Sequence, residues 1–364
     1  MRWRRLPAAA AKLHALVGVV CSLAAVLLGT TGALLIFRDD YVRATLPEAR
    51  APADLSPAAL ARVAEAAEAH FGAERLRALT FASASLGVHR AFLVDGGGAY
   101  LASDGRVIAH WSKNARVEDW LFDLHRHLLA GEVGKVVVGS VGLAALALTV
   151  SGVFAFWPAR RGFRRGLQLG ERSRAELVRA HRNLGALVAI PIALQALTGA
   201  GLAFPDAARG FVMRFVETAP RAASLGASPA EVDWGRAISN AAALAPGAAL
   251  RGATWPSAER PAAIRLRQPS EWHPSGRSLA TLDPSTGAIL SFSDAAASGT
   301  GDRMLDALYP VHAARVAQPI LDLLALAAGI GLALLGLSGA LAFARRFGAA
   351  PARHGRASDP SFRA

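Results

Sequence analysis

Apolar and polar positions divide the chain into four long apolar runs, over residues 13–37, 136–157, 184–204 and 320–343. Each approaches or exceeds the roughly 20 residues that a helix needs to cross hydrocarbon. Asp322 is the only Asp, Glu, Lys or Arg within them. The first run is too long for a signal-peptide core and lacks a convincing small-residue cleavage site, so it reads as a retained helix. Two long polar stretches follow the first and third runs on one plan. Each opens with Ser-Pro at a helix start, Ser56-Pro57 and Ser228-Pro229, where serine caps and proline fits the first turn. A short amphipathic helix follows, then alternating segments: HRAFLV and AYLASDGRVIAHW in the first stretch, AAIRLRQ and LATLDPSTGAILSFSD in the second. Their Asp-Gly and Pro-Ser-Thr-Gly centres suit hairpins, and Gly96-Gly97-Gly98 is a turn. Each stretch is expected to fold as a small α+β module, of a size at which it needs support from the other or from the membrane helices.

The apolar runs also repeat. KLHALVGVV before GTTGALLIF aligns without a gap to RAHRNLGALVAI before ALTGAGLAF, so His14 stands as far before Thr31-Gly32 as His181 before Thr198-Gly199. LTVSGVFAFWPARR aligns to LLGLSGALAFARR, and His125 precedes Ser151-Gly152 by the interval at which His312 precedes Ser338-Gly339. Self-similarity of this kind defines architecture before any local reading does. The expected fold class is a mainly α membrane protein, a four-transmembrane-helix bundle of two parallel repeats, each with an inserted α+β module.

Charge sets the orientation. Of the chain's residues, 53% are apolar and the formal net charge is +13. The arginines cluster in MRWRRLPAAAAK, in WPARRGFRRGLQLGERSRAELVRAHR and around Arg345, Arg346, Arg353 and Arg356. Such segments lie on the cytoplasmic side of a bacterial membrane, which removes the nucleic-acid reading that a basic chain otherwise invites. The lone Cys21 lies in the first apolar run, so the polar modules hold no disulfide and no thiolate cluster binds metal. No P-loop or dinucleotide fingerprint is present.

A histidine at a membrane helix end is costly unless it has a partner, and four of them occupy repeat-equivalent positions. His14 with His181, and His125 with His312, are expected to be the axial ligands of two b-type haems, closed sites suited to electron transfer. His127 is the rival of His125 and points to another helix face. Gly18 and Gly185, one turn beyond His14 and His181, either admit a flat macrocycle or allow close helix packing. Arg126, Arg182 and Arg315 could pair with haem propionates. His125 and His312 are each followed by a break, Gly131 or Pro319, before the apolar run begins, which places them near the outer interface; if the helix is straight, counting back from residue 136 lifts His125 well above the hydrocarbon. His70, His89, His110 and His273 are read as surface residues of the modules, and Trp111, Trp120 and Trp157 as an interfacial belt.

The chain resembles the PepSY-associated transmembrane helix family, bacterial inner-membrane proteins that include ferric-siderophore reductases and other iron-regulated members. The resemblance spans roughly residues 12–346. It rests on the LH opening of the first run, TGALLIFRDD, DLHRHLLAGEVGK, AHRNLG and VHAARVAQP in that order, with DPSTGAIL like a PepSY strand-turn-strand. It implies a cytoplasmic N-terminus (1–12), helices over 13–37, 124–157, 181–204 and 309–344 (the second and last with histidine-bearing lead-ins), and periplasmic PepSY-like modules over 38–123 and 205–308. A cytoplasmic loop (158–180) and tail (345–364) complete the plan. It further implies electron delivery through haem b to a periplasmic acceptor, most simply ferric iron in a siderophore. No flavin or NADPH domain is attached, so a quinol or a flavoprotein is the expected donor. Two other readings stay open: a haem-free PepSY scaffold binding a periplasmic peptide or protein, and a metal-uptake component. Against the latter, the apolar runs lack buried charge pairs and midplane Gly/Pro interruptions.

Overall fold

The computed structural model describes residues 8–156, 173–218 and 230–346. Ser228-Pro229, Trp157 and most of the basic segments fall outside the described residues. In chain order, α1 (Ala8–Leu35) leads to α2 (Arg38–Thr45), α3 (Pro57–Phe71), strands β1 (Leu76–Thr80), β2 (His89–Leu93), β3 (Gly98–Leu101) and β4 (Val107–Trp111), then α4 (Val117–His127) and α5 (Gly131–Phe156). The second half runs α6 (Arg174–Leu187), α7 (Ala189–Ala203), α8 (Pro205–Val212), α9 (Trp234–Leu244), β5 (Ala249–Thr254), β6 (Ala262–Arg267), β7 (Ser278–Leu282), β8 (Ile289–Ser293), α10 (Thr300–His312) and α11 (Ile320–Ala344).

The protein is a membrane protein: α1, α5 and α11 are long and apolar enough to cross a bilayer, and α6 with α7 makes a further span if the bent pair is counted as one. Val20 on α1 and Val133 on α5 are 75% and 74% exposed, which is a lipid-facing surface rather than a solvated one. The third apolar run was expected to be uninterrupted, and it is not. α6 and α7 meet at 68°, because Pro191 has no N–H for the carbonyl of Leu187 and its ring crowds that carbonyl. The corner residue Val188 is buried, and its methyls would lie 2.9–3.0 Å from a Cβ on Gly331 of α11. α1 crosses α11 where Gly29 and Gly329 face each other; a Cβ on either would stand 2.5–2.7 Å from the other's carbonyl oxygen. Small residues thus let these two backbones touch.

The two polar modules are not separate sheets. All eight strands form one antiparallel sheet in the order β4-β3-β2-β1-β5-β6-β7-β8, joined at its centre by Ala78↔Thr254, Leu79↔Ala253 and Thr80↔Gly252. Gly252 is required there, since a Cβ would stand 2.6 Å from the Leu79 carbonyl oxygen. The six outer strands match the alternating segments of the sequence; the two central ones were not anticipated. Helices α3 and α9 cover one face. Leu60 and Val63 from α3 and Ile238 from α9 meet Leu79, Ile264 and Leu266 of the sheet in one core shared by both modules. Ser56 caps α3 as expected, its Oγ accepting from the Ala59 N–H, whereas α9 is capped by Asp233. One carboxylate links the halves: Glu68 on α3 accepts from the indole N–H groups of Trp234 (2.8 Å) and Trp255 (2.5 Å).

Two residues read as peripheral are interior. Trp111 is buried at the end of β4 and packs on Tyr100. His89 is fully buried in β2 and accepts from the Ala82 N–H; alternation places it inward, where a surface reading ignored the pleat.

Truncating Glu68 to alanine leaves two buried indole N–H groups unpaired and should cost about 2–4 kcal/mol, read as a lower melting temperature than Glu68→Gln gives. Burial pushes His89 down to about 4, so its proton binds more readily to the unfolded chain, where the value is about 6.5. Its contribution is present above pH ~6.5 and is lost as the pH falls toward 4. A His89→Asn variant should flatten that part of the stability-against-pH curve.

Candidate functional site

The histidine-bearing lead-ins are separate helices. α4 ends at His127, and Leu128 and Leu129 take the left-handed conformation (φ 49° and 59°) before α5 begins. α10 ends at His312, with Ala314 and Ala317 left-handed (φ 52° and 50°) ahead of α11. A Cβ on Gly134 would overlap the His127 carbonyl, so glycine lets α5 pass against the end of α4. The straight helix that would lift His125 above the hydrocarbon is therefore absent. The chain doubles back, and His125 lies beside Thr31, inside the apolar part of α1. Carboxylates moor both lead-ins to the sheet. Asp119 of α4 bonds Arg90 of β2 and the Trp111 indole N–H, and Asp306 of α10 pairs with Arg277 at 2.9 Å.

All four histidines are held in one way. His14 Nδ1 lies 2.8 Å from Ser151 Oγ, His181 Nδ1 3.1 Å from Ser338 Oγ, His125 Nδ1 2.9 Å from Thr31 Oγ1 and His312 Nδ1 3.1 Å from Thr198 Oγ1. Each hydroxyl donates its single proton to a carbonyl of its own helix: Thr31 to Leu27, Thr198 to Leu194, Ser151 to Ala147 and Ser338 to Leu335. It can then only accept from the imidazole, which must carry its proton on Nδ1. Nε2 is left with a free lone pair, and among the described residues it makes no hydrogen bond in any of the four. The glycine after each hydroxyl lies under the ring: a Cβ on Gly199 would be 2.8 Å from His312 Cε1, on Gly32 3.1 Å from His125, on Gly339 3.3 Å from His181 and on Gly152 3.6 Å from His14. The Thr-Gly and Ser-Gly pairs that mark the repeat are imidazole shelves, a role the sequence reading did not assign.

The rings face one another in the expected pairs. Centroids are 6.4 Å apart for His14 and His181 and 6.2 Å for His125 and His312, with interplanar angles of 88° and 41°. That spacing matches two imidazoles on opposite sides of one metal ion, for which bonds of about 2.0 Å and a nitrogen-to-centroid distance of about 1.1 Å imply about 6.2 Å. Among the described residues no group of three or more His, Cys, Asp or Glu side chains could hold a metal ion, so an ion at either pair must bring its other ligands with it. Seventeen residues separate His14 from Thr31 on α1, which at about 1.5 Å each sets the two pairs about 25 Å apart, near opposite ends of a bilayer core.

A cavity of about 420 Å³ surrounds the pair at the sheet end, lined by His125, His312, Gly32, Gly199 and a basic rim of Arg38, Arg126, Lys135, Arg277 and Arg315. Arg126 is exposed at this rim, and Arg315 also pairs with Asp39 at 2.9 Å. Arg182, beside His181, has a buried Nε with no hydrogen-bond partner among the described residues. His127 is bonded to Asp123 at 2.7 Å and does not enter the pair. A Cβ on Gly18 would meet nothing within 4 Å among the described residues and one on Gly185 only Leu335 at 3.7 Å, so neither glycine serves close helix packing, and Gly18 borders open space. His273, read as a surface residue, lines this cavity and stacks on Tyr309, with ring centroids 4.9 Å apart and planes at 28°.

The fold and the paired imidazoles define a membrane protein that joins a two-module sheet to histidine sites between its helices. The family profile described as "PepSY-associated TM region" matches residues 11–346, and the chain belongs to that family. No curated protein matches it.

Gly199→Val should displace the His312 ring and lower stability by about 1–3 kcal/mol. Gly18→Ala, with free space around it, should leave the melting temperature unchanged or higher.

Proposed function

We propose that the protein is a di-haem b electron-transfer protein of the bacterial inner membrane, with both termini cytoplasmic, four membrane-spanning helices in two repeats and the PepSY-like sheet in the periplasm. The observation that carries this reading is the hydroxyl bond at each of the four histidines. With the hydroxyl proton given to the helix carbonyl, each Nε2 is a lone-pair donor, and the ring spacings suit one iron between each pair, which supports this reading. His14 and His181 would hold one haem, His125 and His312 the other. Bound haem supplies a centre that gains and loses one electron reversibly.

The chain's own groups do the rest. The serine and threonine hydroxyls fix the imidazole tautomer and raise its basicity. Gly18 and Gly185 leave room beside the His14–His181 pair. Arg126 and Arg315, with Arg38 and Lys135, offer cations to propionates at the sheet end, and Arg182 offers one at the other. Lys12, Arg174, Arg179, Arg345 and Arg346 gather at the helix ends away from the sheet, which supports the orientation. Electrons would enter there from a quinol or a flavoprotein and leave at the sheet end. The acceptor we favour is ferric iron in a siderophore, because reduction weakens the hold of hard oxygen donors on the metal and serves iron uptake.

A reduced-minus-oxidised spectrum of the detergent-purified protein, with a pyridine-haemochrome assay, should give two b-type haems per chain. His14→Ala should remove one and leave the other, and His125→Ala should do the reverse. A folded protein without haem sinks this reading and returns the chain to the scaffold role.

A further inference from the structure

A second cavity, of about 300 Å³, opens on the sheet face away from α3 and α9, over the seam between β1 and β5. Strand alternation explains its lining. Leu79, Ala253, Ile264 and Ala91 point into the core under the helices, so Ala78, Thr80, Thr254, Arg265 and Phe92 point the other way. Three guanidinium groups, Arg77, Arg251 and Arg265, meet there, and no carboxylate lines the cavity. Among the described residues none of the three forms an ion pair. Arg251 bonds the Ala82 carbonyl and Arg265 the Gly276 carbonyl, while Arg251 Nε is buried without a partner. The nearest acids are engaged elsewhere: Glu271 accepts from the Gln268 N–H and the Ser278 hydroxyl, and Asp306 pairs with Arg277. Burial first, and then arginines around the cavity (Arg260 and Arg126 for Arg77, Arg267 for Arg251, Arg277 for Arg265), lower the pKa of all three groups, with Glu271 and Asp306 opposing the shift at Arg265. Clustered cations held out of water in this way are relieved by an anion.

This cavity adjoins the histidine site. His273 lines both cavities, and Tyr309, on which it stacks, precedes His312 by one turn of α10.

We propose that the arginine cavity seats a small polycarboxylate, free or as its ferric chelate, held by Arg77, Arg251 and Arg265. We further propose that, when ferric, this ligand is the electron acceptor of the neighbouring histidine pair. The binding half stands alone; the acceptor half rests on the electron-transfer reading above. One electron from the quinol or flavoprotein donor converts Fe(III) to Fe(II), the donor is oxidised by the same electron, and the chelate gains one negative charge with no covalent bond made.

The test is calorimetric titration of the full-length protein in detergent with citrate and then with ferric citrate. Saturable binding of both is expected, weakened about tenfold or more in Arg265→Gln, as loss of a charge-assisted contact requires. Arg77→Gln, which removes no hydrogen bond of the fold, should weaken it similarly with an unchanged melting temperature. Absence of saturable binding to the wild-type protein, or unchanged affinity in both variants, overturns the proposal. So does displacement of citrate by phosphatidylglycerol in nanodiscs, which would assign the cavity to lipid phosphate. Stopped-flow oxidation of the reduced protein by ferric citrate should show a raised apparent KM in Arg77→Gln with the reduced spectrum unaltered; an unchanged KM removes the acceptor half. Arginine-dependent citrate binding in a protein that holds no haem would keep the site and discard the electron-transfer reading.

Discussion

A hydroxyl owns one proton, and this structure depends on where four such protons go. Thr31, Thr198, Ser151 and Ser338 each donate to a backbone carbonyl of their own helix, so each can only accept from the imidazole beside it. That constraint selects the tautomer, orients the ring and leaves Nε2 unengaged. The glycine that follows removes the one atom that would keep the ring off the helix. The two functions need adjacent residues, because the hydroxyl and the bare Cα must border the same imidazole. Every hydroxyl bond lies within one half of the chain, His14 with Ser151 and His312 with Thr198 for example, whereas each histidine pair is formed across the halves. Each half therefore prepares its ligands, and docking of the halves makes the sites.

Docking is enforced twice, by unlike forces. Between the helices it depends on the reciprocal approach of Gly29 and Gly329, where only van der Waals contact is available in lipid. At the sheet it depends on the β1–β5 ladder and on Glu68, a carboxylate that binds tryptophans of the other module. The lead-in helices connect the two regions, since Asp119 and Asp306 tie α4 and α10 to the sheet while His125 and His312 reach back toward α1 and α7.

The histidine pairs were legible because the repeat is gapless and equivalent positions must meet equivalent surroundings. The shelves were present in the same strings but had no visible role, since a hydroxyl's partner on another helix leaves no trace in spacing. The doubling-back of α4 was hidden because leucine at 128 and 129 does not announce a left-handed turn as glycine would. The bend before α7 was signalled by Pro191 and masked by the unbroken apolar run around it. Six strands followed from alternation. β1 and β5 did not, because bulges at Arg77 and Arg251 break their alternation, and nothing local says that strands so far apart in sequence are neighbours. His89 was misplaced for a related reason, as a polar residue in a strand takes the face that the pleat gives it.

The sheet pairing has an ancestry-like consequence. Strands β1 and β5 occupy equivalent places in their modules and run antiparallel at the centre of the sheet, the arrangement that two identical chains adopt when they associate about a twofold axis. A half-length chain would carry its first strand as an open edge, ready to add another copy. The present protein has that second copy built into its own sequence, so its central edges are closed without any dependence on concentration. Its halves are consequently free to diverge, and the bend confined to the second of them, like the arginines contributed unequally by β1, β5 and β6, is a difference that an assembly of identical subunits could not have kept on one side alone.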